Sequence, residues 1–255
     1  MMALSEVRVQ VEHLGLLVGR HVRGAPLAPV RFVIFGRGRS GSTTLVSLLD
    51  SLPGVRCDDE ILHRPVLFPL EHVRAKCAGS RSAAYGCKIL SYQVRTVKTR
   101  RRREAFVRDL ARDGFRILYL TRDNVVQQAV SNIRARQLGF HQSAGRATAV
   151  QRVTVDRDDL MHWIEQSLAL ARFERAALAG VPHLGLTYEN DLVLESLHRT
   201  TLLRVCDFLD LPRPEGVSLR SQYRKVSPRT LRDSVANYDQ LVGFLQGTPY
   251  AGYLD

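Results

Sequence analysis

The sequence predicts an α/β fold, a three-layer sandwich with a central, mostly parallel β-sheet between helices. Three observations predict it. Short apolar runs at 31–35, 84–92, 115–121 and 182–189 alternate with longer stretches whose apolar residues recur at helical spacing, as in βαβ units. Glycine or proline punctuates the joins, at Pro53-Gly54, Gly114, Gly180 and Pro212. Finally, 255 residues with 45% hydrophobic side chains suffice for one sizeable core. A single domain is therefore expected over 1–255, with a helical extension at 1–29 and a core from about 30 to 250.

The first unit organises the rest. Arg31-Phe32-Val33-Ile34-Phe35 reads as a strand that breaks into the loop Gly36-Arg37-Gly38-Arg39-Ser40-Gly41-Ser42-Thr43-Thr44. Leu45, Val46, Leu48, Leu49 and Leu52 then resume at helical spacing up to Pro53-Gly54. Strand, glycine-rich loop and helix together make an anion cradle, because successive backbone N–H groups form a nest and the helix adds its positive end. The spacing from Gly36 to Gly41-Ser42-Thr43 approaches the nucleotide-loop pattern and makes the sandwich P-loop-like, but Ser42 stands where that pattern has lysine. A Mg-nucleotide hydrolase uses that lysine on the β/γ-phosphates. Here the positive charge sits inside the loop, on Arg37 and Arg39.

Further along, Val55 to His63 reads as a short extended piece leading to the acidic cluster Asp58-Asp59-Glu60, near the carboxyl ends of the strands where open parallel sheets bind ligands. Residues 66–83 show no periodicity that assigns a regular element. Ala84 to Tyr92 reads as a buried strand carrying Lys88, which either snorkels, pairs with a carboxylate or serves a function. Lys98 to Gly114 reads as a helix opened by Arg100–Arg103, a run that fits a solvated face. Phe115 to Thr121 is the next strand; it delivers Arg122-Asp123-Asn124 to its end and leads into a helix carrying Val125, Val126, Ala129, Val130 and Ile133. The stretch 139–154 mixes Gly, Ser, His, Gln and Arg and reads as a mobile loop or lid. A long helix is expected from Asp156 to Ala179, a last strand from Pro182 to Glu189, and a helix from Leu192 to Leu209.

A net charge of +12 calls for anionic partners: a polyphosphorylated cofactor, nucleic acid or an anionic membrane surface. Cysteines at 57, 77, 87 and 206 form no CxxC pair and no metal spacing with histidine, so no structural zinc site is expected, and the sparse pattern suits a reducing, cytoplasmic setting. Within 1–29, Glu12, His13, Arg20, His21 and Arg23 interrupt the apolar residues, which suits neither a signal peptide nor a membrane span. A helix packed on the domain is expected there, with a surface-lying helix in peripheral membrane contact as the other reading.

Several separated segments, taken together, resemble the sulfotransferase family that uses 3′-phosphoadenosine 5′-phosphosulfate (PAPS), and within it bacterial enzymes acting on carbohydrates and glycolipids. Gly38-Arg39-Ser40-Gly41-Ser42-Thr43 is similar to the family's 5′-phosphosulfate loop, and Leu120 to Ser131 to its 3′-phosphate element. Weaker likenesses lie at Cys57–Leu62, Gly86–Leu90, Tyr188–Leu192 and in the tail from Asn237-Tyr238 to Gly247-Thr248. The Tyr188–Leu192 stretch departs from the family's Tyr-Glu-Asp-Leu by the insertion of Asn190. The resemblance spans about residues 30 to 250 and implies PAPS as co-substrate, no metal, and a hydroxyl-bearing acceptor such as a sugar or lipid.

It also implies roles. Arg37, Gly38, Arg39, Ser40, Gly41, Ser42, Thr43 and Thr44 hold the 5′-phosphosulfate, while Arg122 and Ser131 hold the 3′-phosphate, the guanidinium bidentately and the hydroxyl as a neutral donor. Asp123 is the alternative partner for Arg122. Arg39 faces the leaving group and Lys88 the sulfuryl oxygens. Glu60 is the expected base, with like charge beside it on Asp58 and Asp59, and His63 is the second candidate. An arginine pairing with Glu60 is the bland alternative. Two other functions stay open: a P-loop kinase or nucleotide phosphotransferase, which leaves the missing lysine unexplained, and a noncatalytic nucleic-acid-binding module using Arg100–Arg103 and the basic tail. No aromatics interleave that run, which argues against a single-strand platform; under the sulfotransferase reading no nucleic-acid partner is expected.

Overall fold

The computed structural model describes residues 15, 26–64, 66–95, 100–138, 151–214 and 230–254, without the side chains of 95 and 100–102. The readings of 1–14, of 16–25, of 139–150 and of the stretch from 215 to 229 lie outside these residues, as do the side chains of most of the Arg100–Arg103 run.

In chain order, β1 (Val30–Gly36) leads through the glycine-rich loop to α1 (Ser42–Asp50), then β2 (Val55–Asp58), α2 (Pro69–Ser80), β3 (Ala84–Leu90), α3 (Ser91–Arg95) and α4 (Arg100–Arg112). Next come β4 (Arg116–Thr121), α5 (Val125–Leu138), α6 (Arg157–Leu178), β5 (His183–Thr187), a π-helical turn (Tyr188–Leu192), α7 (Glu195–Leu209), α8 (Leu231–Ser234), α9 (Tyr238–Leu245) and a 3-10 turn (Ala251–Tyr253). The strands form one five-stranded sheet in the order β2-β3-β1-β4-β5, and every pairing is parallel. The fold is thus α/β with a wholly parallel described sheet, flanked by helices.

Side-chain alternation along β1 explains the layers. Val33 and Phe35 face a core with Cys87, Ile89, Ile117, Val107 and Leu110, whereas Phe32 and Ile34 face one with Leu45, Leu48, Leu49, Leu202 and Leu209. Burial on both faces is why β1 reads as a continuous apolar run. A third core joins Val126 and Ile133 of α5 to Leu160 and Ile164 of α6 and Leu241 and Leu245 of α9. Asp156 caps α6, accepting from the N–H of Asp158 at 2.8 Å.

The structure departs from expectation in four places, the last strand being one: β5 stops at Thr187, and Tyr188 and Glu189 open the π-helical turn. The unassigned 66–83 stretch contains α2, started by Pro69 at its first turn; its buried side is His72, Val73, Ala75, Cys77 and Ala78, small or polar residues that leave no apolar stripe in the sequence. Ser91 and Tyr92 open α3 instead of extending β3. Within the stretch read as a lid Val153 is buried, as is Val155 just beyond it, and Val153 pairs with Val235, its N–H donating to Ser234 O at 2.9 Å. This short apolar alternation ties the end of the stretch to the C-terminal helices.

Candidate active site

Central β1 has β3 and β4 as neighbours, with Gly36 in register with both Leu90 and Leu120. The segments leaving the strands therefore collect at one edge of the sheet: the loop 37–41 after β1, Asp59 and Glu60 after β2, Arg122 after β4 and Tyr188 after β5. Two glycines allow this crowding. At Gly36 (φ +156°) a Cβ would stand 2.1 Å from Leu120 O, and at Gly41 (φ +80°) 2.7 Å from the Tyr188 ring.

The loop is fastened by its carbonyls. Gln128 Nε2 donates to Gly38 O at 2.8 Å and to Ser40 Oγ at 3.1 Å, and Arg122 Nη1 donates to Arg39 O at 3.0 Å. The first main-chain bond of α1 runs from Leu45 N–H to Gly41 O at 3.1 Å. The N–H groups of residues 38–44 meet no acceptor among the described residues, the situation expected of an anion nest at a helix start.

Around this nest stand guanidiniums. Arg39, in the left-handed region (φ 62°), donates from Nε to Ser131 Oγ at 3.0 Å. Desolvation lowers its pKa, the charges of Arg122 and Arg134 lower it further, and Glu60 acts in the opposite sense. Arg122 Nη2 donates to Gln127 Oε1 at 2.9 Å, its Nε faces Glu189 at 3.7 Å, and its guanidinium lies 4.6 Å over the Tyr188 ring. Burial lowers its pKa too, against the raising effect of Tyr188 and Glu189. Glu189, not Asp123, is thus its carboxylate neighbour; Glu189 also accepts from the N–H groups of Asp123 and Asn124, at 3.0 and 3.2 Å, ahead of α5. Arginines keep their charge despite such lowering, so Arg39 and Arg122 form a desolvated like-charge cluster.

Arg37 stands apart. Its Nε lies 3.2 Å from the fully buried Glu174 and its Nη1 donates to Ser167 Oγ at 3.2 Å, so its guanidinium is held against α6. Tyr119 OH donates to Glu174 at 2.9 Å. Burial pushes the Glu174 pKa up in spite of Arg37 and Tyr119.

At the other side, Lys88 is 3% exposed. Its Nζ donates to Thr43 Oγ1 at 3.2 Å, pairs with Glu60 at 3.1 Å and contacts Asp59. Glu60 also accepts from Gln93 Nε2 at 2.9 Å, and Tyr92 OH lies 3.4 Å from it. The cation on Glu60 is a lysine and not an arginine. Asp58 is turned to Arg56 and Tyr85. His63 is exposed, its Nδ1 2.7 Å from Glu60 O.

The structure thus brings together the loop, Arg39, Ser131 and Arg122 on one side, and Thr43, Lys88, Glu60 and His63 on the other. Gln128, Gln93, Tyr92 and Glu189 also belong to this surround. Glu189 lies in the Tyr188–Leu192 segment and Gln128 in the Leu120–Ser131 segment already singled out, neither with a role given to it; Gln93 carries no sequence signal, since its partner Glu60 lies 33 residues off in the chain. Among the described residues no group of three or more His, Cys, Asp or Glu side chains is arranged to hold a metal ion, and no helix is long and apolar enough to cross a membrane. A scan against protein-family models finds no match to the chain, and a search of curated proteins finds none either.

Proposed function

We propose that the chain is a sulfotransferase that moves the sulfuryl group of PAPS to an acceptor hydroxyl on a carbohydrate, glycolipid or small metabolite. One observation carries the reading: the Lys88 ammonium joins Thr43, at the start of α1, to Glu60. A cation, an anion nest and a carboxylate therefore lie within reach of one side chain.

The donor set suits such a co-substrate. Unpartnered N–H groups at 38–44 fit the 5′-phosphosulfate, and the strand order with the loop after central β1 supports a P-loop-like arrangement. Ser131 and Arg122 fit a second phosphate. A guanidinium has five N–H donors, so Arg122, with one bond from each Nη, keeps further donors for it.

In the reaction, the acceptor oxygen attacks sulfur in line, the bond between sulfur and the bridging 5′-phosphate oxygen breaks, and its electron pair leaves with the phosphate. The acceptor proton passes to Glu60, with the exposed His63 as the alternative acceptor. Arg39 and the loop amides meet the charge building on the leaving oxygen, and Lys88 faces the sulfuryl oxygens. Orientation supplies much of the rate, as in phosphoryl transfer. All four cysteines are free and buried, in keeping with a cytoplasmic enzyme that meets its acceptor in solution or at a membrane surface.

The test is calorimetric titration with the desulfated product PAP and with Mg-ATP, followed by transfer of labelled sulfuryl from PAPS to a panel of hydroxyl acceptors. Expected are metal-independent PAP binding, label transfer, and a roughly 10²- to 10⁴-fold slower transfer by Glu60→Gln at unchanged PAP affinity. Metal-dependent ATP binding without a PAP response overturns the reading in favour of a nucleotide phosphotransferase. Steeply salt-dependent duplex binding without a PAP response overturns it in favour of a nucleic-acid module.

A further inference from the structure

We infer that Gln128 is a positioning residue that aims the loop's amides at the anion. The inference rests on the loop being the seat of the 5′-phosphosulfate, and it assigns a task to a side chain that never touches the reacting atoms.

Gln128 is 1% exposed on the inner face of α5. Both ends of its amide are fixed. Oε1 accepts from Ser167 Oγ, which itself accepts from Arg37 Nη1 at 3.2 Å, and Arg37 is held by Glu174. Nε2 is thereby turned to the loop, where it donates to Gly38 O at 2.8 Å and Ser40 Oγ at 3.1 Å. The opposite amide orientation would set Oε1 against the Gly38 carbonyl and lose that bond.

The geometric consequence comes from the peptide unit. The described chain has no cis bond, and in a trans peptide the carbonyl and the next N–H point to opposite sides. Drawing Gly38 O back onto α5 turns Arg39 N–H away from α5. Arg122 does the same through Arg39 O for Ser40 N–H. Arg39 stands in the left-handed region, at φ 62°, which residues with a side chain populate sparsely. The Arg39 Nε bond to Ser131 supplies a second restraint from the same helix. The relay Glu174, Arg37, Ser167, Gln128 thus runs from α6 through α5 into the nest. A loop held this way meets an anion with its donors already oriented and loses less freedom on binding.

Gln128→Met keeps length and shape but removes the donors. Its melting temperature is measured first, then its affinity for PAP, for adenosine 5′-phosphosulfate, which lacks the 3′-phosphate, for 3′-AMP, and for inorganic pyrophosphate. The expected result is a folded protein that binds the three ligands seated in the loop roughly 10- to 100-fold more weakly and 3′-AMP within about twofold of wild type, because a lost hydrogen bond to a charged site acts on the loop half alone. A lower melting temperature with equal affinities overturns the inference, since that is all a purely structural glutamine would show. Should Gln128→Met fail to fold, Ser167→Ala, which releases the Oε1 tether, is read by the same split, with a smaller loss expected. Wild-type protein that ignores PAP but binds pyrophosphate refutes the proposed co-substrate and leaves the Gln128 test to run on pyrophosphate; wild type that binds neither overturns both.

Discussion

Replacing Glu174 by leucine is expected to destabilise the protein by about 3–5 kcal/mol, the usual cost of stranding one partner of a buried ion pair. The figure applies because both side chains are sequestered: Glu174 is 0% and Arg37 8% exposed, with 3.2 Å between them. Without the carboxylate, Arg37 keeps only the Ser167 hydroxyl and carbonyl, at 3.2 and 3.4 Å, and Tyr119 loses its acceptor. At roughly 2–4 °C per kcal/mol for a chain of this size, the melting temperature falls by about 6–20 °C. Urea titration of Glu174→Leu, Arg37→Met and the double variant measures the coupling, and the double variant is expected to be more stable than either single one, because it buries no unpaired charge. Single losses below about 1 kcal/mol that simply add in the double variant would refute the pairing. The pH dependence has a definite sign. Burial raises the Glu174 pKa above its ordinary 4.5, so its contribution is fully present below that value and is lost as pH rises through the folded-state pKa. Wild type is therefore expected to lose stability relative to Glu174→Gln on raising the pH across that interval; a difference that grows with pH contradicts the assignment.

Lys88→Met removes the ammonium that joins Thr43 to Glu60, and sulfuryl transfer is expected to fall roughly 10²- to 10³-fold in kcat, as for loss of one preorganised donor; single-turnover label transfer measures it, and an unchanged kcat removes Lys88 from the chemistry. Gly41→Ala forces a Cβ to within 2.7 Å of the Tyr188 ring at a φ of +80°, so both stability and PAP affinity should drop; wild-type values for both would mean the loop relaxes freely there.

Much of the sheet was legible because its signals are local. The apolar runs 31–35, 84–92 and 115–121 marked strands, the second overrunning its strand by Ser91 and Tyr92, and Pro53-Gly54, Gly114 and Gly180 marked helix ends. Helix α2 was not, since Ala75, Cys77 and Ala78 pack as small groups and His72 breaks the stripe. The site divides along the same line. The loop, Glu60 and Arg122 stood out by residue type and position after a strand, and Lys88 as a lysine inside an apolar one. Arg37 and Arg39, two residues apart and identical in kind, are told apart in the sequence only by the resemblance, which gives Arg39 the leaving group; the contacts that separate them are to Glu174, 137 residues downstream of Arg37 in the chain, and Ser131, 92 residues from Arg39. Gln128, though inside the Leu120–Ser131 likeness, drew no role for the same reason: it meets Gly38 across 90 residues.

The strand order has one more consequence, in the sequence of events by which the chain folds. β1 is assembled between β3 and β4, so Lys88 and Arg122 reach opposite flanks of the loop only after two long-range parallel pairings have formed. Such pairings close large loops and form late. No partly folded chain lacking either pairing has the complete anion seat, so a bound ligand opposes opening of the whole sheet and not of the loop alone. At a hundredfold excess over its Kd a ligand adds about 2.7 kcal/mol to global unfolding. Amide protection should accordingly rise as far away as β2 and β5, at the sheet's outer edges.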